Sequence, residues 1–222
     1  MSAILFGSIS TLADTSEAQR QAFNSAFEAH GLKWHWDRDD YRAMLSESGG
    51  QNRIASFAAS VGQEVDAAAI HQTKCDLFHV ALAETPPPAR PGVVETVRAA
   101  KRDGINVALV TTTSSANVAS LLAALSPDLQ RTDFDLVVDA NDVEKSKPDS
   151  AAYSYAIGQL GETPSECIAI EDNVAGVQSA VSAGLRCIAF PNQNTAGHAF
   201  EGAHRTVDAI DFGDLQPLIV RS

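Results

Sequence analysis

Two rhythms divide the chain. From about Ser16 to Leu82 the apolar residues recur at helical spacing. Over Glu17–His30, Ala18, Ala22, Phe23, Ala26 and Phe27 share one face, and Gly31 is placed to stop the helix. Asp37–Leu45, Gly50–Val61 and Asp66–Ala83 continue in the same style, with Asp66 as N-cap of the last. The run Thr85-Pro86-Pro87-Pro88-Ala89-Arg90-Pro91 cannot continue a helix and reads as stiff, extended chain. Beyond it helices are expected over Gly92–Arg102, Ala116–Leu125, Ser150–Leu160 and Ala175–Ala183. Between them lie the short apolar runs Ile105–Val110, Phe134–Val138, Cys167–Ile170 and Cys187–Phe190. Such runs are strands of a parallel sheet covered on both faces. Ala3–Ile9 has the same character, so the helical block reads as an insertion after a first strand. The expectation is an α/β protein: a three-layer core from residues 1–15 and 86–222, with residues 16–85 as a helical cap.

Composition narrows the function classes. The 222 residues, 45% hydrophobic and 20% charged, are enough for a sizeable buried core. A net charge of -12 argues against nucleic acid or an anionic membrane as partner, and makes a local cationic pocket necessary for any phosphate ligand. Cys75, Cys167 and Cys187 are odd in number and lack CxxC spacing, as expected of reduced thiols in a cytoplasmic protein. No apolar stretch approaches membrane length, and no repeat is apparent.

In parallel sheets of this kind ligands bind beyond the carboxyl ends of the strands. Four polar segments fall there: Gly7-Ser8-Ile9-Ser10-Thr11, Thr111-Thr112-Thr113-Ser114, Lys145-Ser146-Lys147-Pro148 and Glu171-Asp172, the last followed by Gly176. Their order and flanks resemble the haloacid-dehalogenase-like phosphatase superfamily, whose first motif is Asp-x-Asp-Gly-Thr. The resemblance implies a Rossmann-like core and a Mg2+-dependent phosphomonoester hydrolase. It implies phosphoryl oxygens held by Thr111 and Thr112, phosphate charge neutralised by Lys147, and metal held by Asp172, Glu171 and the Ile9 backbone carbonyl. The nucleophile position, however, is Gly7 and the acid/base position is Ile9, and neither has a side chain for its role. Loss of acid/base assistance alone costs about 10²–10⁴ in rate, so the chain is expected to be inactive or very slow, and Mg2+ weakly bound or absent. Ser8 and Ser10 are the substitute nucleophiles on offer, without a neighbouring base in sequence. Asp14 reads as a helix-start residue, and Ser114 or Ser115 as the cap of the helix that follows.

The inserted block carries a finer resemblance. Phe23-Asn24, His30-Gly31-Leu32, Trp34-His35-Trp36-Asp37 and Gly49-Gly50-Gln51-Asn52-Arg53 are similar to the cap of CbbY-type, β-phosphoglucomutase-like phosphatases. The type acts on xylulose 1,5-bisphosphate. The resemblance implies a small phosphorylated ligand such as a sugar phosphate, cap contacts from Gly50, Gln51 and Arg53, and a monomer or weak dimer. Gln51 departs from the lysine that usually follows the glycine pair. Trp34 and Trp36 read as cap packing. So do His71, Cys75 and His79, which share one helical face.

Overall fold

The computed structural model describes residues 2–46 and 49–219. Six parallel strands form one sheet: β1 (Ala3–Phe6), β2 (Asn106–Val110), β3 (Leu136–Val138), β4 (Cys167–Glu171), β5 (Arg186–Ala189) and β6 (Arg205–Thr206), in the spatial order β3-β2-β1-β4-β5-β6. The central strand β1 is flanked by β2 and β4, with Leu5 paired to Ala108 on one side and to Ala169 on the other. Side-chain alternation explains why these runs contain no polar residue at their centres. Ile4, Phe6, Val107, Leu109, Ile168 and Ile170 point to one core, and Ala3, Leu5, Ala108, Val110, Cys167 and Ala169 to the other.

Among the described residues ten helices cover the sheet and its upper edge. They are α1 (Ile9–Leu12), α2 (Ser16–Ala29), α3 (Arg38–Ala43), α4 (Gly50–Ser60), α5 (Ala67–Glu84), α6 (Val93–Arg102), α7 (Ser115–Leu125), α8 (Ala151–Leu160), α9 (Val174–Ser182) and α10 (Phe212–Ile219). The first core takes Val93 and Val97 of α6, Leu121 and Leu125 of α7, and Leu215 and Ile219 of α10. The second takes Tyr153 and Ala156 of α8 and Val177 and Ala180 of α9. Layer, sheet and layer make the Rossmann-like architecture. The helices between Ser16 and Glu84 carry a third core of Phe23, Phe27, Trp36, Tyr41, Ile54 and Ile70. Most of its aromatic rings meet edge-on or tilted, as Phe27 does on Trp36 at 4.7 Å, while Trp36 and Tyr41 stack.

Two expectations needed correction, and one region carried none. The first strand stops at Phe6 rather than Ile9, although Gly7 still donates to the Ile170 carbonyl at 2.8 Å. Ser8 then caps a single helical turn, its Oγ accepting the Thr11 N–H at 3.1 Å, so Ile9 belongs to α1. The strand expected over Phe134–Val138 starts at Leu136, after a 3₁₀ turn at Arg131–Asp133. Beyond Phe190 the pattern gave no expectation, and the structure places β6 and α10 there, the latter holding Pro217 within its run. Elsewhere local chemistry behaves as read: Gly31 takes φ +70° behind α2, and Asp66 accepts the Ala69 N–H at 2.9 Å.

Candidate functional site

A cavity of about 590 Å³ lies between the carboxyl ends of the strands and the helices of the inserted block. The sheet side supplies Ser8 and Ile9, the Thr111–Ser114 loop, Asp172 and Asn173, and Asn192 with Thr195. The helices above supply Gln19 and Phe23 of α2, the Gly49–Arg53 segment, and His71, Lys74, Cys75 and His79 of α5. Thr111, Thr112, Asp172, Ile9, Gly50, Gln51 and Arg53 therefore converge on one cleft although they are spread over most of the chain.

The Thr111–Ser114 loop leaves β2 along the wall of the cleft. Thr111 anchors it by donating its N–H to the Val138 carbonyl at 3.0 Å. The Thr113 N–H goes to Thr111 Oγ1 at 3.2 Å, which leaves the threonine hydroxyl hydrogen for a ligand oxygen. Ser114 caps α7, accepting the Asn117 N–H at 3.3 Å, and this helix directs its N-terminus at the cleft.

Gly7, Lys147 and Glu171 are absent from the cleft wall; they form a knot behind it. The Lys147 ammonium, in the loop leading to α8, donates to the carbonyls of Gly7 and Val110, the latter at 2.7 Å, and to Glu171 Oε1 at 2.6 Å. Tyr153 donates its hydroxyl to the same Oε1 at 2.8 Å. The Glu171 carboxyl is wholly buried between two glycines, and a Cβ on either Gly7 or Gly176 would overlap it. Burial pushes this carboxyl upward, and the Lys147 charge opposes that rise. The Tyr153 hydroxyl is driven well above its ordinary value, first by burial and then by Glu171.

Asp172 is the motif carboxylate that does reach the cleft. Its Oδ1 accepts Ser8 Oγ–H at 2.6 Å and Asn173 Nδ2–H at 3.0 Å, and its Oδ2 accepts Asn192 Nδ2–H at 2.7 Å. Thr195 Oγ1 donates to its backbone carbonyl at 2.6 Å. The Ile9 carbonyl accepts the Ala13 N–H at 3.2 Å, closing the turn of α1. Mg2+ wants several hard oxygens with free lone pairs in octahedral array. Here one carboxylate faces the cleft with donors on both oxygens, the second lies behind it with Lys147 and Tyr153 on Oε1 and Oε2 unpartnered but closed off by Gly176, and the expected carbonyl already accepts a hydrogen bond within its own turn. Among the described residues no cluster of three His, Cys, Asp or Glu could hold a metal. The residues present do not fit that ion.

The α5 face does more than pack. His71 sits against Gly50 of α4 and beside the buried Cys75, as expected, yet His71, Cys75 and His79 also line the cleft, because α5 lays this face over the sheet edge. His79 Nε2 meets Asn117 Oδ1 at 2.6 Å, and Asn117 in turn donates to Thr113 Oγ1 at 2.6 Å. Burial, and secondarily Lys74, lowers His71 to about 4, so its ring is neutral. Sequence reading missed Lys74 altogether. It is buried, lies 4.8 Å from the Phe23 ring centroid and donates to Gln19 Oε1 at 3.0 Å. Desolvation lowers its ammonium to about 8. Its only signal was its place one residue before Cys75, on the same helical face as His71. Arg53 bonds the Met44 carbonyl at 3.1 Å and lies over the Tyr41 ring. Gly50 lets α4 approach α5, since a Cβ there would come within 2.6 Å of His71 Nε2. Trp36 is fully buried among rings, as expected, and Asp14 receives the Ser16 N–H at the start of α2.

The fold and the four motif positions define a hydrolase scaffold, and sequence comparison agrees. A haloacid dehalogenase-like hydrolase profile matches residues 1–184, and the chain belongs to that family. Within it the likeness is to CbbY proteins. The chain is 38% identical over 220 residues to protein CbbY of Cereibacter sphaeroides, covering 97% of this chain and 96% of that one. The crystal structure of CbbY from Rhodobacter sphaeroides in complex with phosphate superposes with a TM-score of 0.87 over 97% of this chain and 96% of that one, at 38% identity. A mutant of that protein, bound to xylulose-(1,5)bisphosphate, matches equally well. A β-phosphoglucomutase from Clostridium difficile shares the fold, with a TM-score of 0.81 at 19% identity over 99% of this chain and 97% of that one. Among the described residues no helix is long and apolar enough to cross a membrane.

Proposed function

We propose that this chain binds a small phosphorylated sugar, of the xylulose 1,5-bisphosphate type, and hydrolyses it slowly or not at all. The helices of residues 16–85 act as a cap over a core of residues 1–15 and 86–222, in a cytoplasmic protein that is a monomer or weak dimer. Support for binding comes from relatives crystallised with phosphate and with that bisphosphate, and from a cleft that carries Thr111, Thr112, Arg53 and Lys74. Support for impairment rests on one observation: the space beside Gly7 where a nucleophilic carboxylate would stand is filled by the Glu171 carboxyl and the Tyr153 hydroxyl. Ile9 likewise presents no proton donor. Buried behind the cleft, Lys147 balances Glu171 and holds the Gly7 carbonyl.

A second reading is a working phosphatase with a substitute nucleophile. Its favouring observation is the Ser8 hydroxyl 2.6 Å from Asp172, a base that the sequence did not reveal. Ser8 also caps α1, and Asp172 already accepts amide hydrogens from Asn173 and Asn192, so it is engaged on both oxygens. The test is calorimetric titration with a panel of sugar phosphates beside an assay for released phosphate. Saturable binding without release supports the first reading. Sustained release with a phosphorylated Ser8 trapped during turnover supports the second. Absence of binding across the panel overturns both.

A further inference from the structure

The mismatch between this cleft and a divalent cation has a consequence for how the ligand is held. Ser8 is fixed in direction: its Oγ accepts the Thr11 N–H at 3.1 Å, so its own hydrogen is turned to Asp172 Oδ1, at 2.6 Å. Asn192 occupies the other carboxylate oxygen from the opposite side at 2.7 Å. With the Asn173 amide also on Oδ1 at 3.0 Å, that oxygen is satisfied from inside the protein, and a cation approaching it would have to displace a donor. Glu171 offers no replacement, since Lys147 and Tyr153 share its Oε1 and the glycines at 7 and 176 close its slot.

We infer that this site takes its phosphorylated ligand without a divalent cation, the Ser8 hydroxyl holding the place on Asp172 that a metal would occupy. The inference rests on the reading of the cleft as a sugar-phosphate site. Charge on the ligand is met instead by Lys74 and Arg53 from above and by the threonine-rich loop from below. The surroundings are suited to this. Lys74 is a buried ammonium that donates to the neutral Gln19 amide, and an anion arriving beside it supplies a countercharge that the amide does not.

The test is isothermal titration of the full chain with xylulose 1,5-bisphosphate and with inorganic phosphate, each in EDTA and in millimolar MgCl2. Affinities that agree within about twofold between the two conditions are expected, with no heat from Mg2+ alone. Ser8→Ala removes the shorter of the two hydrogen bonds on Asp172 Oδ1, and its ligand affinity should become Mg2+-dependent by about tenfold. Binding seen only with Mg2+ overturns the inference and leaves the sugar-phosphate reading standing. No binding in either condition overturns both. A Ser8→Ala variant as indifferent to Mg2+ as the native chain removes Ser8 from the assignment. The native-chain arms decide the main point even if that variant folds poorly.

Discussion

The two sides of the sheet's upper edge are built differently. Beside β1 and β4 the charged groups are closed on one another: Lys147 on Glu171, Tyr153 on Glu171, Ser8 and Asn192 on Asp172. Beside β2 and beneath α5, the Thr111 hydroxyl, the N-terminus of α7 and Lys74 face an open cleft. On the function proposed above, gripping a phosphoryl group and breaking its ester bond fall to different residues on different strands. One can be lost while the other persists, because removing two carboxylates at a strand end leaves the loop after the next strand undisturbed.

The sharpest way to break this division is to rebuild the closed side. Gly7→Asp/Ile9→Asp should raise Mg2+-dependent phosphate release by about 10²–10⁴-fold through acid/base assistance, as followed by a phosphate-release assay. It should also lower thermal stability, since the carboxylate introduced in place of Gly7 must push Glu171 from its slot at a cost of about 1–3 kcal/mol. Lys147→Met leaves a wholly buried carboxylate without its cation and should cost about 3–5 kcal/mol of unfolding free energy, read by denaturant titration.

On the open side, Lys74→Met should weaken binding of a sugar bisphosphate about 10–100-fold, measured calorimetrically. The native affinity should fall as pH rises through about 8, where Lys74 loses its proton, and Lys74→Met should abolish that fall. Stability moves oppositely. Between about 8 and the ordinary 10.5 the unfolded chain holds the extra proton, so this group makes folding more favourable as pH rises through that window. Thr111→Val removes one hydroxyl and should weaken binding by about 3–10-fold. Gln51→Lys places a cation on an exposed rim and should tighten bisphosphate binding only about 2–5-fold.

Most of the fold was legible because its signals are periodic. The apolar runs of β1, β2 and β4 are buried on both faces, so nothing polar interrupts them, and capping residues such as Asp66 and Ser114 mark helix starts. The end of β1 was not, since Ile9 looks like another strand residue until Ser8 is seen to cap a turn. Residues 205–219 were missed for a related reason: β6 has two residues, and α10 contains a proline that argues against a helix. Which residues gather at the cleft was largely readable from motif order. How they pair was not. Ser8 and Asp172 lie 164 positions apart, and whether Glu171 faces a ligand or turns behind the sheet is decided by the glycines at 7 and 176. Lys74 was hidden because a single lysine on a helix looks solvated until its neighbours bury it.

The most direct measurement is a phosphorus NMR time course of xylulose 1,5-bisphosphate with a stoichiometric amount of the native chain and Mg2+. The expected spectrum shows ligand resonances displaced by binding and unchanged in total intensity, with inorganic phosphate at the level of a protein-free control. Steady growth of the inorganic phosphate signal well above that control would contradict the separation of binding from bond cleavage.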